Sequence, residues 1–171
     1  MYLYVIDTSS LIHLKRINPM DVYPSVWERI EGLIKDGRLV SPKEVLFEIQ
    51  EGDDELSDWA KRQKLLFKDP TQRQIEIVHE ILQKFPSFIK MYRKYDADPW
   101  IVALAYEYAT SPQQTLFEFE YESFEYESIE PIVVSEEKQR GNEVKIPLVC
   151  NKYGLNHINA ITMFRTEGWK F

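Results

Sequence analysis

Apolar residues in this chain fall in short unbroken runs set between segments of helical spacing. Tyr2–Ile6 is one such run, rich in β-formers, and predicts a strand buried on both faces. It ends on Asp7-Thr8-Ser9-Ser10, a polar cluster able to cap a helix over residues 11–16. After the Asn18-Pro19 turn, Val26, Ile30, Leu33 and Ile34 mark one side of a helix over about 25–36, stopped by Gly37. Leu39-Val40 is a second short strand. Ser41-Pro42-Lys43-Glu44 predicts a helix start, with Ser41 as N-cap, Pro42 in the first helical position and Glu44 closing a capping box. That helix continues through Val45, Leu46 and Ile49 to Gly52. Two more follow over roughly 54–65 and 71–85, the second ended by Pro86.

Asp98-Pro99 opens a further helix, with Asp98 as N-cap and Ile101, Val102, Ala105 and Tyr106 as its apolar side. Residues 132–134 form a third apolar strand running into Ser135-Glu136-Glu137. A short helix over 147–153, a strand at Asn156–Ile158 and a last helix from Asn159 to Glu167 complete the pattern. Strands alternating with helices predict an α/β domain whose mostly parallel sheet carries helices on both faces. In such sheets ligands gather beyond the C-terminal ends of the strands.

One segment breaks the rhythm. Phe119-Glu120-Tyr121-Glu122-Ser123 is repeated at once as Phe124-Glu125-Tyr126-Glu127-Ser128. A five-residue repeat reverses the apolar face between units, so a regular strand here needs a bulge or turn near Ser123. The favoured reading is an inserted, solvated arm at about 111–131. Its rival is a contact arm that lies in a basic groove of a second copy, in a homodimer.

Composition sharpens this picture. The chain has 171 residues and a formal charge of −7, a length that suits one domain able to bury its own core. Six Glu and no basic residue lie in 111–131, while 59–95 holds nine Lys or Arg against three acids. A polyanion-binding surface depends on such local charge, although a solvated helical face is the plainer reading of it. A single cysteine, Cys150, excludes a disulfide framework and fits a reducing cytoplasm. No apolar run reaches membrane-spanning length, and the N-terminal one stops at Asp7 with no basic residue before it, unlike an export signal.

The acids that fall where this sheet would place a ligand are Asp7 after the first strand, Glu48 on the helix after the second, Asp98 at a helix start and Glu137 past a later strand. Each alone is better read as a cap or a solvated charge. Gathered in one place they would repel and raise each other's pKa, a conflict that a hard divalent cation removes. All-oxygen donors suit Mg²⁺ or Mn²⁺ rather than zinc.

In order along the chain, Tyr4-Val5-Ile6-Asp7-Thr8-Ser9-Ser10-Leu11-Ile12 resembles the opening of PIN-domain nucleases. Pro42-Lys43-Glu44-Val45-Leu46-Phe47-Glu48-Ile49 resembles their second motif, and Asp96-Ala97-Asp98-Pro99-Trp100-Ile101-Val102-Ala103-Leu104-Ala105 their third. Val133-Val134-Ser135-Glu136-Glu137 is similar to the fourth, with Glu where Thr-x-Asp is usual and Glu136 as a competitor to Glu137. The closing Ile146-Pro147-Leu148-Val149-Cys150 and Gly168-Trp169-Lys170-Phe171 resemble a bacterial PIN-like subfamily.

The resemblance implies a three-layer PIN-like domain spanning 1–171 and a metal-dependent endoribonuclease acting as the toxin of a toxin–antitoxin pair. Its partners would be RNA and an antitoxin protein. Asp7, Glu48, Asp98 and Glu137 would hold one or two Mg²⁺ or Mn²⁺ ions, and the products would carry 5′-phosphate and 3′-hydroxyl ends. Ser9 and Ser135 would hold the carboxylates or metal waters, with Asp96 behind Asp98. Arg73, Arg93 and Lys94 would grip phosphates.

Other chemistries find less support. His79-Glu80 begins a zinc-protease pattern, but Gln83 replaces its second His. His13, His79 and His157 are isolated, no glycine forms a phosphate-cradling loop, and no Gly-x-Ser-x-Gly elbow exists. An aspartyl phosphatase would carry an acid where Ser9 stands. A structure-selective DNase and a non-catalytic binding module on the same fold remain as alternatives.

Overall fold

A computed structural model describes residues 1–52, 54–90, 92–111 and 129–171. The 119–128 repeat, with the bulge expected at Ser123, lies outside the described residues. Five parallel strands form one sheet in the order β3-β2-β1-β4-β5: β1 Tyr2–Ile6, β2 Leu39–Pro42, β3 Phe67–Lys68, β4 Glu130–Val134 and β5 Asn156–Ile158. The helices are α1 Thr8–Ile17, α2 Pro24–Lys35, α3 Lys43–Gln50, α4 Glu55–Arg62, α5 Gln72–Lys84, α6 Asp98–Thr110, α7 Ile146–Lys152 and α8 Ala160–Thr166, with a 3₁₀ turn at Pro86–Phe88. The protein is an α/β domain with a central parallel sheet flanked by helices.

The strand order fixes the layers. From β1 the chain moves outward to β2 and β3 through α1–α4, then returns past β1 to β4 and β5 through α5–α7. Right-handed crossovers running in opposite directions place these two groups of helices on opposite faces. The connections diverge at β1 and β4, which opens a crevice beyond their C-terminal ends. Ile6 pairs with Val134, so both strands end level, and the Asp7 N–H continues the ladder to Val134 O at 2.9 Å.

Leu3, Tyr4, Val5 and Ile6 of β1 are all buried, as the apolar run demands of a central strand covered on both sides. The helix α6 departs from expectation. It lies across β1, β2 and β4 and is packed by α5 and α7, so Ala103 and Leu104 are buried along with Ile101, Val102 and Ala105. Its apolar surface therefore wraps the helix instead of marking one side.

Two predicted helix starts are corrected. Ser41 does not cap α3: it is a buried residue of β2, its hydroxyl donates to Ile6 O at 2.7 Å, and Pro42 is the N-cap without a side-chain bond. The strand runs two residues further than expected because β3 supplies a parallel partner, pairing Ser41 with Phe67 and Pro42 with Lys68. Nor does Asp98 cap α6. It is the first helical residue, Ala97 is the N-cap, and the Asp98 carboxylate makes an ion pair instead. Elsewhere the caps follow ordinary chemistry, with Asp7, Asp54, Thr71 and Asn159 each accepting from the first turn of the next helix.

Candidate active site

A cleft of about 590 Å³ opens beyond the C-terminal ends of β1 and β4, and Asp7, Glu48, Asp98 and Glu137 all line it. They reach it from four separate elements: the end of β1, the face of α3, the start of α6 and the segment after β4.

Asp7 is held by the first turn of the helix it caps. As N-cap of α1 it accepts on Oδ2 from the Ser9 hydroxyl at 2.6 Å and the Ser9 N–H at 3.1 Å. Its other oxygen, Oδ1, is buried with no hydrogen-bond partner. Burial, aided by the nearby charges of Asp98 and Glu48, pushes the Asp7 pKa up to about 7. Hydrogen bonds from Ser9 act in the opposite direction but are outweighed.

Each remaining acid is tied to an element other than its own. Glu48 accepts the Ala97 N–H on Oε1 at 2.9 Å and the Thr8 hydroxyl on Oε2, joining α3 to the entries of α6 and α1. Burial raises its pKa above the usual range, and these hydrogen bonds oppose the rise. Glu137 accepts the Ile146 N–H at the start of α7 at 2.9 Å. Asp98 pairs with Lys90 Nζ at 2.7 Å.

Glu136 and Glu137 are separated by what they touch. Glu136 accepts the Ala160 N–H at 3.0 Å, at the start of α8, and also the Ser10 hydroxyl at 3.4 Å. Glu137 lines the cleft. Ser9 does so too, and its hydroxyl receives the Glu136 N–H at 3.0 Å. Ser135 serves backbone rather than carboxylate. It is fully buried, accepts the Glu137 N–H at 3.3 Å and bonds His157 Nε2 at 2.8 Å. Asp96 is not among the residues that line the cleft, and it accepts the Lys90 N–H at 2.5 Å.

The basic segment is dispersed by the fold. Arg93 and Lys94 line the cleft, but Arg73 does not; it lies on α5 and pairs with Glu76 at 3.4 Å. Thr8, Glu51, Tyr92 and Tyr95 also line the cleft and were missed by the sequence reading. Tyr95 stacks on Phe47 at 5.2 Å and carries Lys94 Nζ 4.9 Å from its ring centre, while Tyr92 is 84% exposed. An aromatic and basic rim thus borders an acidic floor.

A family model described as "Domain of unknown function (DUF4411)" matches residues 4–111 and 127–171. The chain belongs to the DUF4411 family. All four acids and the whole rim fall within the matched residues, whereas 112–126, inside the acidic repeat region, fall outside them. No curated protein matches this DUF4411 chain.

The fit of this acidic floor to a divalent ion turns on its donors and their spacing. Its donors are carboxylate oxygens, which hard cations prefer. One of them, Asp7 Oδ1, is buried without a partner, and burial, with the smaller repulsion of Asp98 and Glu48, disfavours the Asp7 charge that a bound cation would offset. As placed, no three acidic, His or Cys side chains among the described residues converge tightly enough to enclose an ion. All four acids already have partners: Asp98 is held by Lys90, Glu48 by Thr8 and Ala97, Glu137 by Ile146 and Asp7 Oδ2 by Ser9. In donor chemistry and in the unpaired Asp7 oxygen the four acids suit a hard divalent cation, while in spacing they do not enclose one as placed.

Proposed function

We propose that the protein is a metal-dependent endoribonuclease of the PIN type, hydrolysing phosphodiester bonds in RNA. The observation that carries this reading is the shared cleft of Asp7, Glu48, Asp98 and Glu137, with a buried, unpartnered Asp7 oxygen at the switch point of the sheet.

These four acids would hold Mg²⁺ or Mn²⁺, which supplies an acidified water nucleophile and neutralises charge at the phosphate. The chain's own residues provide the rest. Ser9 fixes the Asp7 carboxylate, leaving Oδ1 turned away from its two donors. Ala97 N–H and Thr8 orient Glu48, and the Ile146 N–H orients Glu137. Arg93 and Lys94 would offset the charge of the RNA backbone at the rim, and the exposed Tyr92 offers a face on which an unpaired base can stack. Expected products carry 5′-phosphate and 3′-hydroxyl ends. The role as toxin, with an antitoxin protein as partner, rests on the resemblance of the sequence motifs alone.

The test is cleavage of end-labelled RNA and of DNA of equal sequence by purified protein, with Mg²⁺, with Mn²⁺ and with chelator. RNA cut only with a divalent ion supports the reading. Preferential cutting of DNA makes the protein a DNase, and binding of RNA without cutting, at every ion concentration, makes it a binding module.

A further inference from the structure

The acid cluster already contains a cation of its own. Lys90 lies on the connection between the 3₁₀ turn and α6, outside the four elements that carry the acids, and its Nζ donates to Asp98 Oδ2 at 2.7 Å. The two side chains are only 25% and 8% exposed, so losing either partner strands a poorly solvated charge. Burial works against the Lys90 charge, but Asp98 outweighs it and holds the ammonium above the ordinary lysine range, with Glu137 adding to the attraction. The Lys90 main chain is fastened as well, through its N–H to Asp96 Oδ2. Between these ties the chain carries Tyr92, Arg93, Lys94 and Tyr95 along the rim of the cleft.

We infer that Lys90 is a tethered counter-ion that competes with a divalent cation for Asp98, so that ion binding and displacement of the Lys90 ammonium are one event. The inference rests on the metal-site reading above. Two cations on one shielded carboxylate repel each other strongly. The fraction of molecules in which Lys90 has left Asp98 therefore limits the apparent affinity for the ion. Displacement also removes the side-chain tie of the rim, leaving the Lys90 N–H on Asp96 as its neighbouring attachment.

Mn²⁺ titration of the full chain by calorimetry, with melting curves with and without Mn²⁺, tests this in wild type, Lys90→Met, Lys90→Arg and Asp7→Asn. Lys90→Met is expected to bind Mn²⁺ about tenfold more tightly or better, and Lys90→Arg to show no gain. Without the ion Lys90→Met should melt below wild type, and Mn²⁺ should close that gap. Equal or weaker Mn²⁺ affinity in Lys90→Met, with binding still abolished by Asp7→Asn, overturns the role of Lys90 and leaves the metal site standing. Binding that is indifferent to Asp7→Asn, or absent from every variant, overturns both. Lys90→Gln carries the same expectation as Lys90→Met should the latter not fold.

Discussion

Asp7 concentrates the cost of this site in one side chain. Its folded pKa of about 7 lies above the ordinary aspartate value of 3.8, so the folded state holds a proton that the unfolded chain has already lost. Stability from this group is complete below about pH 4, falls as pH rises, and is gone above about pH 7. Asp7→Asn mimics the protonated form. It is expected to melt at the same temperature as wild type near about pH 4 and several degrees higher near about pH 8. Thermal melts across that range check this, and a variant no more stable at high pH would contradict it. A divalent ion should reverse the order, because it stabilises only the chain that binds it.

The neighbouring glutamates separate by the same reasoning. Glu137→Gln keeps an oxygen for the Ile146 N–H but loses the charge facing the cleft, so cleavage should fall while the melting temperature holds. Glu136→Ala removes the one oxygen, Oε1, that accepts from both Ala160 and Ser10 and should cost roughly 1–2 kcal/mol of stability with cleavage retained. Cleavage assays and melts on both variants decide which glutamate belongs to the site. The sequence left that choice open because adjacent residues after a strand end can each turn either way; only the starts of α7 and α8 determine it.

Among the elements, one polar cluster ties the closing segment to the sheet. Arg38 grips Glu167 with bonds of 2.6 and 2.9 Å, and the buried Tyr4 hydroxyl donates to the same carboxylate at 2.7 Å. Glu167→Ala leaves Arg38 without its carboxylate and Tyr4 without its acceptor, and should cost roughly 2–4 kcal/mol. The cleft is at the other end of β1, so cleavage below the melting transition should stay near wild type; a selective loss of cleavage would contradict this. Such long-range ties, between residues 129 positions apart for Arg38 and Glu167, leave no local mark in a sequence.

The same limit explains which elements were legible. β1 is visible in its apolar run and α8 in the Asn159 cap. The two-residue β3 exists only because Ser41 and Pro42 lie beside it, and without it Ser41-Pro42 reads as a helix start. Asp98-Pro99 misled for a related reason: Lys90, eight residues earlier, takes the carboxylate that would otherwise cap.

At the scale of the whole molecule, the parallel order β3-β2-β1-β4-β5 does the assembling. It brings the ends of β1 and β4 side by side and lays α6 across the sheet, so acids from residues 7 to 137 meet in one cleft. Alternating strands and helices made that architecture legible, and the positions of the acids followed from it. The composition of the rim was less legible, because a charge count over 59–95 ignores that α4, β3 and α5 carry its cations to different surfaces. The family match passes over 112–126. Replacing those residues by a short Gly/Ser linker should leave the melting temperature and cleavage close to wild type, measured by melts and the RNA assay.

No helix among the described residues is long and apolar enough to cross a membrane. The most direct measurement is the rate of RNA hydrolysis by wild type and by Asp7→Asn at saturating Mn²⁺, both shown folded by their melting curves. Cleavage by wild type that disappears in Asp7→Asn is the expected result. Equal rates in the two proteins would contradict the account.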